Sequence, residues 1–326
     1  MTIQMSVAVE NNAESFISAS SRRCPNCGKD GAEDWLKAPD RFHGRHIWYT
    51  LVHCAGCSLI WLENPPVPEE MAAHYGPDYD HLIAQSGERS PEHWISRRDA
   101  LLQYKSGGSL LDLGCSSGSF LNLLKEKDWE LYGVEISEES ARKAKERTGA
   151  KIFVGDVLEA PFAPESFDAI TCFHVFEHMY EPKEVLKKAW EWLKPGGVFL
   201  AIMPNIDCSD ARFYKSYWYP LELPRHLFHF SPTSLSNMVR SVGFKDVKIT
   251  TSRAPFIEYH IHYLLDDLFR KMGRTRRPVS VPKDFSLSYR IFRKMLRLTL
   301  YPVLARATSP WGHGQIMQVA VVKPKA

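Results

Sequence analysis

The sequence predicts an α/β protein with a doubly wound, mostly parallel sheet, a small metal-binding module in front of it and a helical insert before its last strand. Three observations support this prediction. Strand patterns alternate with helical patterns from about residue 106 onward, as in a parallel sheet covered by helices. Two Cys-x-x-Cys pairs precede that region. About sixty residues separate the last two strand patterns, far more than a hairpin loop contains.

Length and composition fit one large domain with a small satellite. The chain has 326 residues, of which 44% are hydrophobic and 24% charged. These values are typical of a folded globular protein and exclude a disordered one. The net charge of +3 gives no general reason to expect nucleic acid or an anionic membrane as partner. We find neither a secretory signal nor an apolar run long enough to cross a bilayer, so we expect a flexible tail over residues 1–20 and a cytoplasmic protein.

A metal-binding module is predicted over residues 21–64. Cys24 and Cys27 form one Cys-x-x-Cys pair and Cys54 and Cys57 form another, with 26 residues between the pairs. In a reducing cytoplasm such pairs are metal ligands rather than disulfides, and four thiolates complete the tetrahedral coordination of a structural Zn²⁺. Three histidines between the pairs compete as ligands, and a metal-free or redox-active module is the alternative. These histidines are His43, His46 and His53.

Local patterns indicate how this module joins the larger domain. The aromatic and β-branched run Ile47–Val52 predicts a strand that leads into the second cysteine pair. Residues 65–105 are expected to form a linker, because the proline-rich stretch Pro65–Pro68 interrupts regular structure. Apolar residues among charged ones over Pro91–Tyr104 predict a helix at the end of the linker.

The clearest chemical signal is a strand, a glycine-rich turn and a helix. Ser109–Leu113 predicts a buried strand and Ser119–Lys125 a helix, with Gly114 and Gly118 in the turn. Glycines let the backbone approach a ligand, and the N-terminus of the helix offers free N–H groups. Glu135 ends the second strand, 17 residues beyond Gly118. A carboxylate there binds ribose hydroxyls in doubly wound nucleotide sites.

Two other interpretations of this turn are weaker. Gly114–Gly118 also satisfies the G-x-S-x-G pattern of a hydrolase, with Ser116 as nucleophile. A dinucleotide dehydrogenase is disfavoured because the chain lacks G-x-G-x-x-G at this turn. The hydrolase interpretation does not explain Glu135 at the end of the second strand, or the Gly155–Val157 segment that follows the third predicted strand. These residues favour a site for a nucleotide-like cofactor.

In chain order, these residues resemble the motifs of class I, Rossmann-like S-adenosylmethionine-dependent methyltransferases. Asp112-Leu113-Gly114-x-x-x-Gly118 resembles the first motif of that family, with Ser116 where a glycine is common. The strand Phe167–Phe173 and the following segment His174–His178 are similar to the fourth strand and its exit in many small-molecule methyltransferases. The resemblance covers about residues 109–244. It implies a seven-stranded sheet, a methyltransferase domain over residues 106–326 and S-adenosylmethionine as cofactor.

The resemblance also implies which residues bind the cofactor. Asp112, Gly114 and Gly118 are expected to line its methionine part, and Glu135 to bind both ribose hydroxyls. An acidic side chain suits a positively charged sulfonium. The other expected contacts lie beside the adenine and at the end of the fourth strand. They are Ile136, Asp156, Val157 and Phe173.

Two histidines in a loop after the fifth strand are the candidate catalytic residues. His226 is the first choice for a base that accepts the acceptor's proton, and His229 is the second, because ligands bind at the carboxyl edge of such sheets. The His-Leu-x-x-Phe-Ser context of His226 resembles the base segment of bacterial sugar C-methyltransferases, which also carry a four-cysteine zinc module. Those enzymes have a glutamate directly before the histidine, where this chain has Arg225.

Other roles for the histidines remain open. His226 and His229 are equally well explained as packing or capping residues near the helix that begins at about Ser231. His174 and His178 are alternative bases, but His178 lies at an apolar helical spacing from Val175 and is expected to be structural.

The predicted insert, at about residues 255–310, separates strands expected at Lys245–Thr250 and Gln315–Val322. Within it, Phe256–Met272 and Ser286–Ala307 have helical patterns, and the second is basic and amphipathic. We expect a lid or a dimer face; contact with a membrane surface or a lipid substrate, and contact with RNA, are the alternatives.

The sequence as a whole predicts an enzyme that methylates oxygen or carbon of a small-molecule, sugar or lipid-linked acceptor, with S-adenosylmethionine as cofactor and a structural Zn²⁺. Two alternatives belong to other classes. One is an RNA methyltransferase that grips its substrate with the zinc ribbon, and the other is a non-catalytic scaffold that binds the cofactor. The motifs identify the cofactor and the fold and are silent about the acceptor.

Overall fold

A computed structural model describes residues 22–42, 47–75, 91–126, 128–254, 256–272, 295, 299 and 314–325. The strands are β1 (Glu33–Pro39), β2 (Trp48–His53), β3 (Ile60–Leu62), β4 (Gly108–Leu113), β5 (Trp129–Glu135), β6 (Lys151–Val154), β7 (Phe167–Phe173), β8 (Leu193–Pro204), β9 (Phe228–His229), β10 (Val247–Ser252) and β11 (Ile316–Val322). The α-helices are α1 (Pro68–Met71), α2 (Pro91–Leu102), α3 (Glu138–Thr148), α4 (Pro182–Trp192), α5 (Ser209–Tyr214), α6 (Pro232–Val242) and α7 (Ile257–Lys271).

The larger sheet has seven strands in the order β10-β11-β8-β7-β4-β5-β6. Its strands are parallel except β11, which runs antiparallel to both β8 and β10. The chain moves outward from β4 to β6 and then returns to place β7 on the other side of β4. A crevice therefore opens at the carboxyl ends of β4 and β7, where doubly wound folds bind ligands. The predicted seven-stranded α/β sheet is confirmed.

Helices bury both faces of this sheet. In β4, Leu110 belongs to one apolar cluster and its neighbour Leu111 to the other, because successive side chains of a strand point to opposite faces. Helix α6 shows how the sequence forms the outer layer. Ser231 and Ser234 make a reciprocal capping box at its start, and Leu235, Met238 and Val239 repeat at helical spacing and are buried.

A second sheet joins the amino-terminal module to the larger domain. Its strand order is β1-β2-β3-β9, all antiparallel. In its last pair, Ile60 and Trp61 of β3 lie opposite His229 and Phe228 of β9, and Leu62 N donates to Leu227 O at 2.8 Å. The module thus contributes three strands, and the fourth comes from the loop that holds the candidate catalytic histidines.

One predicted element differs in the structure. The helix expected at Ser119–Lys125 is a single 3-10 turn at Leu121–Leu123. Three apolar side chains of this segment are fully buried between α2 and α3, and they are Phe120, Leu121 and Leu124. These positions would also share one face of an α-helix, so the apolar pattern alone did not distinguish a helix from the observed turn.

The insert begins with α7, which packs near the amino-terminal module. Tyr263 is buried, and Asp267 accepts from Arg41 Nη1 at 2.8 Å and from Tyr217 Oη at 3.0 Å. The predicted basic helix at Ser286–Ala307 lies outside the described residues. Among the described helices, none combines the length and the apolar character needed to cross a membrane.

Candidate active site

The glycine turn after β4 forms one wall of the crevice. Gly114 and Gly118 have φ of 69° and 75°, a region that residues with a Cβ seldom adopt. A Cβ on Gly114 would also lie 2.5 Å from Cγ2 of Val175, in the segment after β7. The turn can therefore pack against that segment only if this position is glycine.

Glu135 fixes the shape of this turn. Its Oε2 accepts from the backbone N–H of Ser116 at 2.8 Å, and its Oε1 accepts from Ser137 N–H at 2.9 Å. A carboxylate oxygen has two lone pairs, so each oxygen retains one for a hydroxyl donor. Glu135 thus stands at the carboxyl end of β5, held by two backbone bonds and able to accept two more.

Beyond Glu135, the edge of the crevice offers an apolar surface next to a carboxylate. The side chain of Ile136 is 76% exposed, and Val157 is partly buried. Asp156 accepts from Leu158 N–H at 2.7 Å and thereby caps the 3-10 turn Val157–Glu159. An exposed apolar face beside acidic groups fits a flat heteroaromatic ring and its exocyclic amine.

Asp112 lies at the centre of the crevice, near the end of β4. Burial raises the pKa of its carboxyl to about 7, because a low-dielectric surrounding disfavours the charged form. A hydrogen bond from Thr171 Oγ1 at 2.6 Å opposes that shift, as does the charge of Arg97. A cationic ligand in the crevice would stabilise the ionised form of Asp112.

Arg97 was missed by the sequence analysis. It comes from α2, is only 3% exposed, and places its guanidinium 5.0 Å from the ring centre of Phe173 and 4.5 Å from that of Trp94. The helix containing it was expected, yet one arginine on a helix carries no signal of burial. Only the packing of α2 against the end of β7 reveals a cation above Phe173.

His226 and His178 are brought together at the next strand end. Their ring centres are 4.5 Å apart with nearly perpendicular planes. His226 Nδ1 lies 2.8 Å from Pro220 O, and His178 Nδ1 lies 3.0 Å from Arg225 O. Burial lowers the pKa of His226 well below its usual value and that of His178 to about 4, so both rings are neutral at physiological pH. His178 was expected to be a structural residue; it lies against the predicted base.

Glu177 is the third member of this group. Its side chain is 2% exposed, and burial raises its pKa to about 7. One ligand atom each from Glu177, His178 and His226 lies within 4.8 Å of the other two. His174 Nδ1 approaches Glu177 Oε1 at 3.5 Å. The segment His174–His178 after the fourth strand contains Glu177, but no role was predicted for this residue. Its position beside His178 was the available signal.

Arg225 replaces the glutamate of the resembled enzymes and brings a different carboxylate to His226. Its guanidinium is buried, stacks 3.6 Å from the ring centre of Phe42 and donates to Glu222 Oε2 at 2.8 Å. The same oxygen lies 3.7 Å from His226 Nε2. His229, the second predicted base, is buried in β9, with its ring centre 6.3 Å from that of His226.

The four cysteines of the module converge. Cys24 Sγ lies 3.4 Å from Cys57 Sγ and Cys27 Sγ lies 3.5 Å from Cys54 Sγ. All four sulfur atoms are within 4.8 Å of one another, and none is in a disulfide. A tetrahedral Zn²⁺ with bonds of about 2.3 Å requires sulfur atoms about 3.8 Å apart, so the set fits the ion. Of the competing histidines, His43 and His46 lie outside the described residues.

Comparisons with known proteins agree with this geometry. A family model described as "Methyltransferase domain" matches residues 86–249, which are 164 of the 326 residues. A ubiquinone biosynthesis O-methyltransferase from Idiomarina loihiensis is 26% identical over 155 residues, which cover 44% of this chain and 64% of that protein. A demethylmenaquinone methyltransferase from Deinococcus radiodurans is 26% identical over 206 residues, covering 54% of this chain and 84% of that protein.

A solved structure supports the fold. It is a SAM-dependent methyltransferase from Archaeoglobus fulgidus that aligns with a TM-score of 0.51 at 19% identity, over 75% of this chain and 99% of that chain. The chain spans less than two thirds of the length of several curated relatives that it matches, for example 64% and 62%. The family match, the strand order and the acidic crevice agree, and the chain belongs to the class I S-adenosylmethionine-dependent methyltransferases.

Proposed function

We propose that the protein transfers the methyl group of S-adenosylmethionine to an oxygen or carbon of a small-molecule acceptor, a class that includes sugar and lipid-linked molecules. The observation that carries this proposal is the contact between the buried ring of His226 and the partly buried ring of His178, beside the end of β7 and next to the crevice. We propose that this histidine pair lies beside the bound acceptor and takes its proton. The two relatives named for ubiquinone and menaquinone synthesis support a small molecule over a macromolecule.

The crevice residues fit each part of the cofactor. We assign the ribose hydroxyls to Glu135, whose oxygens each keep a free lone pair. We assign the adenine to the surface that Ile136, Asp156 and Val157 form. The methionine part is assigned to Gly114, Gly118, Asp112 and Phe173. Arg97, above Phe173, has the charge to bind a carboxylate.

The acceptor supplies the electron pair of the new bond. S-adenosylmethionine brings a methyl carbon on a positively charged sulfur, and the electron pair of the broken carbon–sulfur bond stays on that sulfur. An acceptor hydroxyl or carbon acid must also give up a proton for the product to be neutral. His226 is the predicted base because its Nδ1 faces a carbonyl oxygen, which leaves the lone pair on Nε2.

The zinc of the amino-terminal module is proposed to be structural. Four converging thiolates satisfy a tetrahedral ion and leave no coordination position for a substrate. The antiparallel pair of β3 and β9 then gives the module a role in holding the loop of His226.

Two measurements test the proposed function. Calorimetry should show that the purified chain binds S-adenosylmethionine and its demethylated product. Labelled methyl groups should then pass into the small-molecule or lipid fraction of a cell extract rather than into RNA. Cofactor binding without transfer into any fraction would favour a scaffold, and transfer into RNA would contradict the small-molecule proposal.

A further inference from the structure

Glu177, His178 and His226 form a compact group of potential metal ligands outside the cysteine module. Glu177 and His178 belong to the 3-10 turn Phe176–His178 directly after β7, and His226 precedes β9. Leu227 N–H donates to Glu177 O at 2.9 Å, so a backbone bond fixes the two segments relative to each other. One ligand atom of each side chain lies within 4.8 Å of the other two.

The hydrogen bonds of the two rings identify their free nitrogens. A carbonyl oxygen only accepts hydrogen bonds, so the Nδ1 of His226, which faces Pro220 O, carries its proton and leaves the lone pair on Nε2. The Nδ1 of His178 lies 3.0 Å from Arg225 O and 2.9 Å from Tyr75 Oη, and both oxygens can accept from an Nδ1–H, which again leaves the lone pair on Nε2. Histidines that bind metals show this arrangement, in which one ring nitrogen donates to a backbone carbonyl or a carboxylate and the other coordinates the ion.

The carboxylate of Glu177 completes the argument. It is 2% exposed, and within the described residues neither of its oxygens has a hydrogen-bond partner. A buried carboxyl in that state is costly unless a cation or donor satisfies it. One ligand atom from each of the two imidazoles and the carboxylate thus lie within 4.8 Å of one another, and His174 Nδ1 lies 3.5 Å from Glu177 Oε1. A positive ion among these atoms would compensate the charge of the buried carboxylate.

We propose that Glu177, His178 and His226 bind a divalent transition-metal ion such as Zn²⁺, Mn²⁺ or Fe²⁺. Two imidazoles and one carboxylate suit these ions, and three protein ligands leave coordination positions for oxygen atoms of the acceptor. Glu222, whose Oε2 lies 3.7 Å from His226 Nε2, adds negative charge beside the site. His226 then acts as a ligand, and this changes the role predicted from the sequence. The ion site stands independently, whereas its role in acceptor binding rests on the proposed function.

Metal stoichiometry tests the site without an activity assay. The full-length protein is dialysed with excess Mn²⁺, then against metal-free buffer, and its total metal is counted by mass spectrometry. We expect about two ions per chain, one of them zinc in the cysteine module. Glu177→Gln and His178→Asn should each reduce the total to about one and leave the zinc in place. His229→Asn is the matched control, a buried histidine of the same loop outside the group, and should keep both ions.

Either of two results would overturn the site: about one ion per chain in the unsubstituted protein, or about two ions in folded Glu177→Gln. If both variants fail to fold, the count on the unsubstituted protein still decides. Methyl transfer by a protein with only the cysteine-bound zinc would refute the role of the second ion in acceptor binding and leave the proposed function standing. Two ions per chain without methyl transfer would support the second site and contradict the proposed function.

Discussion

The four-cysteine cluster precedes β3 in the chain, and the Glu177–His178–His226 cluster ends just before its partner strand β9. The two clusters differ in the chemistry of their ligands and in the number of coordination positions that they leave open. The cysteine cluster offers four soft thiolates that could close a tetrahedron around one ion. The glutamate and histidine cluster offers three harder ligands, so an ion there keeps room for another molecule. The number and type of ligands therefore separate a structural site from one able to hold a substrate.

The two clusters are also connected. The module that holds the cysteines supplies Ile60 and Trp61, which pair with His229 and Phe228 of β9. Leu227, between His226 and β9, bonds to Glu177 through its N–H and to Leu62 through its carbonyl. A closed site at one end of this strand pair can thereby position an open site at the other.

The largest expected effect comes from breaking the cysteine cluster. Cys24→Ser or Cys57→Ser should release the zinc, whose binding contributes about 10 kcal/mol or more to the folding of small zinc modules. Residues 22–62 should then lose protection in hydrogen exchange. If the two clusters are connected, residues 226–230 should lose protection as well.

Cys208→Ser serves as the control, because Cys208 is a buried cysteine that caps α5 far from the module in sequence, and serine also caps helices well. It should keep its zinc. Full protection of residues 226–230 in a zinc-free Cys24→Ser protein would show that the clusters are independent.

The second effect concerns His226 alone. His226→Asn should reduce turnover about 100-fold or more, because it removes either the base that takes the acceptor's proton or a ligand of the ion that binds the acceptor. Affinity for S-adenosylmethionine and thermal stability should change little, since the expected cofactor contacts lie on other strand ends. Calorimetry and initial rates on the same preparation separate these quantities. Near-normal turnover in a stable His226→Asn protein would move attention to His229 and His174.

The third effect concerns the expected cofactor-binding residues Glu135 and Asp156, which belong to neither cluster. Glu135→Ala and Asp156→Ala should each weaken binding of S-adenosylmethionine by about 1 to 3 kcal/mol, because each removes a charge-assisted hydrogen bond. Calorimetry measures the loss, and metal content should not change. Glu138→Ala, in the exposed first turn of α3, is the control for loss of negative charge nearby. Unchanged affinity in both crevice variants would refute the assignment.

The last effect concerns the buried carboxyl of Asp112. Burial raises the pKa of Asp112 to about 7 in the folded protein, against about 4 in an unfolded chain. Its contribution to the free energy of unfolding is therefore complete below about pH 4 and is lost as the pH rises through 7. Asp112→Asn removes this titration, so its free energy of unfolding should rise relative to that of the unsubstituted protein between pH 4 and pH 8, by at most about 4 kcal/mol for a pKa difference of about 3.

Urea unfolding of the cofactor-free protein at several pH values measures this gain. The exposed Asp99 provides the control, and Asp99→Asn should follow the unsubstituted protein at every pH. A stability profile of Asp112→Asn parallel to that of the unsubstituted protein would mean that the buried carboxyl does not titrate in this range.

The amino-acid sequence alone determined the features that depend on short spacing. Local backbone geometry places the residues of three such features, so they can be interpreted from the sequence alone. They are the Gly114–Gly118 turn, Glu135 at the next strand end and the two Cys-x-x-Cys pairs. The alternation of strand and helix patterns was sufficient for a doubly wound α/β sheet, and its seven strands were implied by the resemblance to class I methyltransferases. The predicted helix after Gly118 was wrong, because the apolar pattern of this segment fits both a helix and the single 3-10 turn that the structure has.

Only the tertiary structure decided which distant side chains meet. Arg97 reaches Phe173 across 76 residues of chain because α2 packs over the end of β7. His226 reaches His178 because the backbone of Leu227 bonds to Glu177. The strand β9 joins the sheet of the amino-terminal module, although its two residues carry almost no strand signal. Such contacts are absent from local patterns, because their energy comes from burial and hydrogen bonding between segments, and these form only when the whole chain folds.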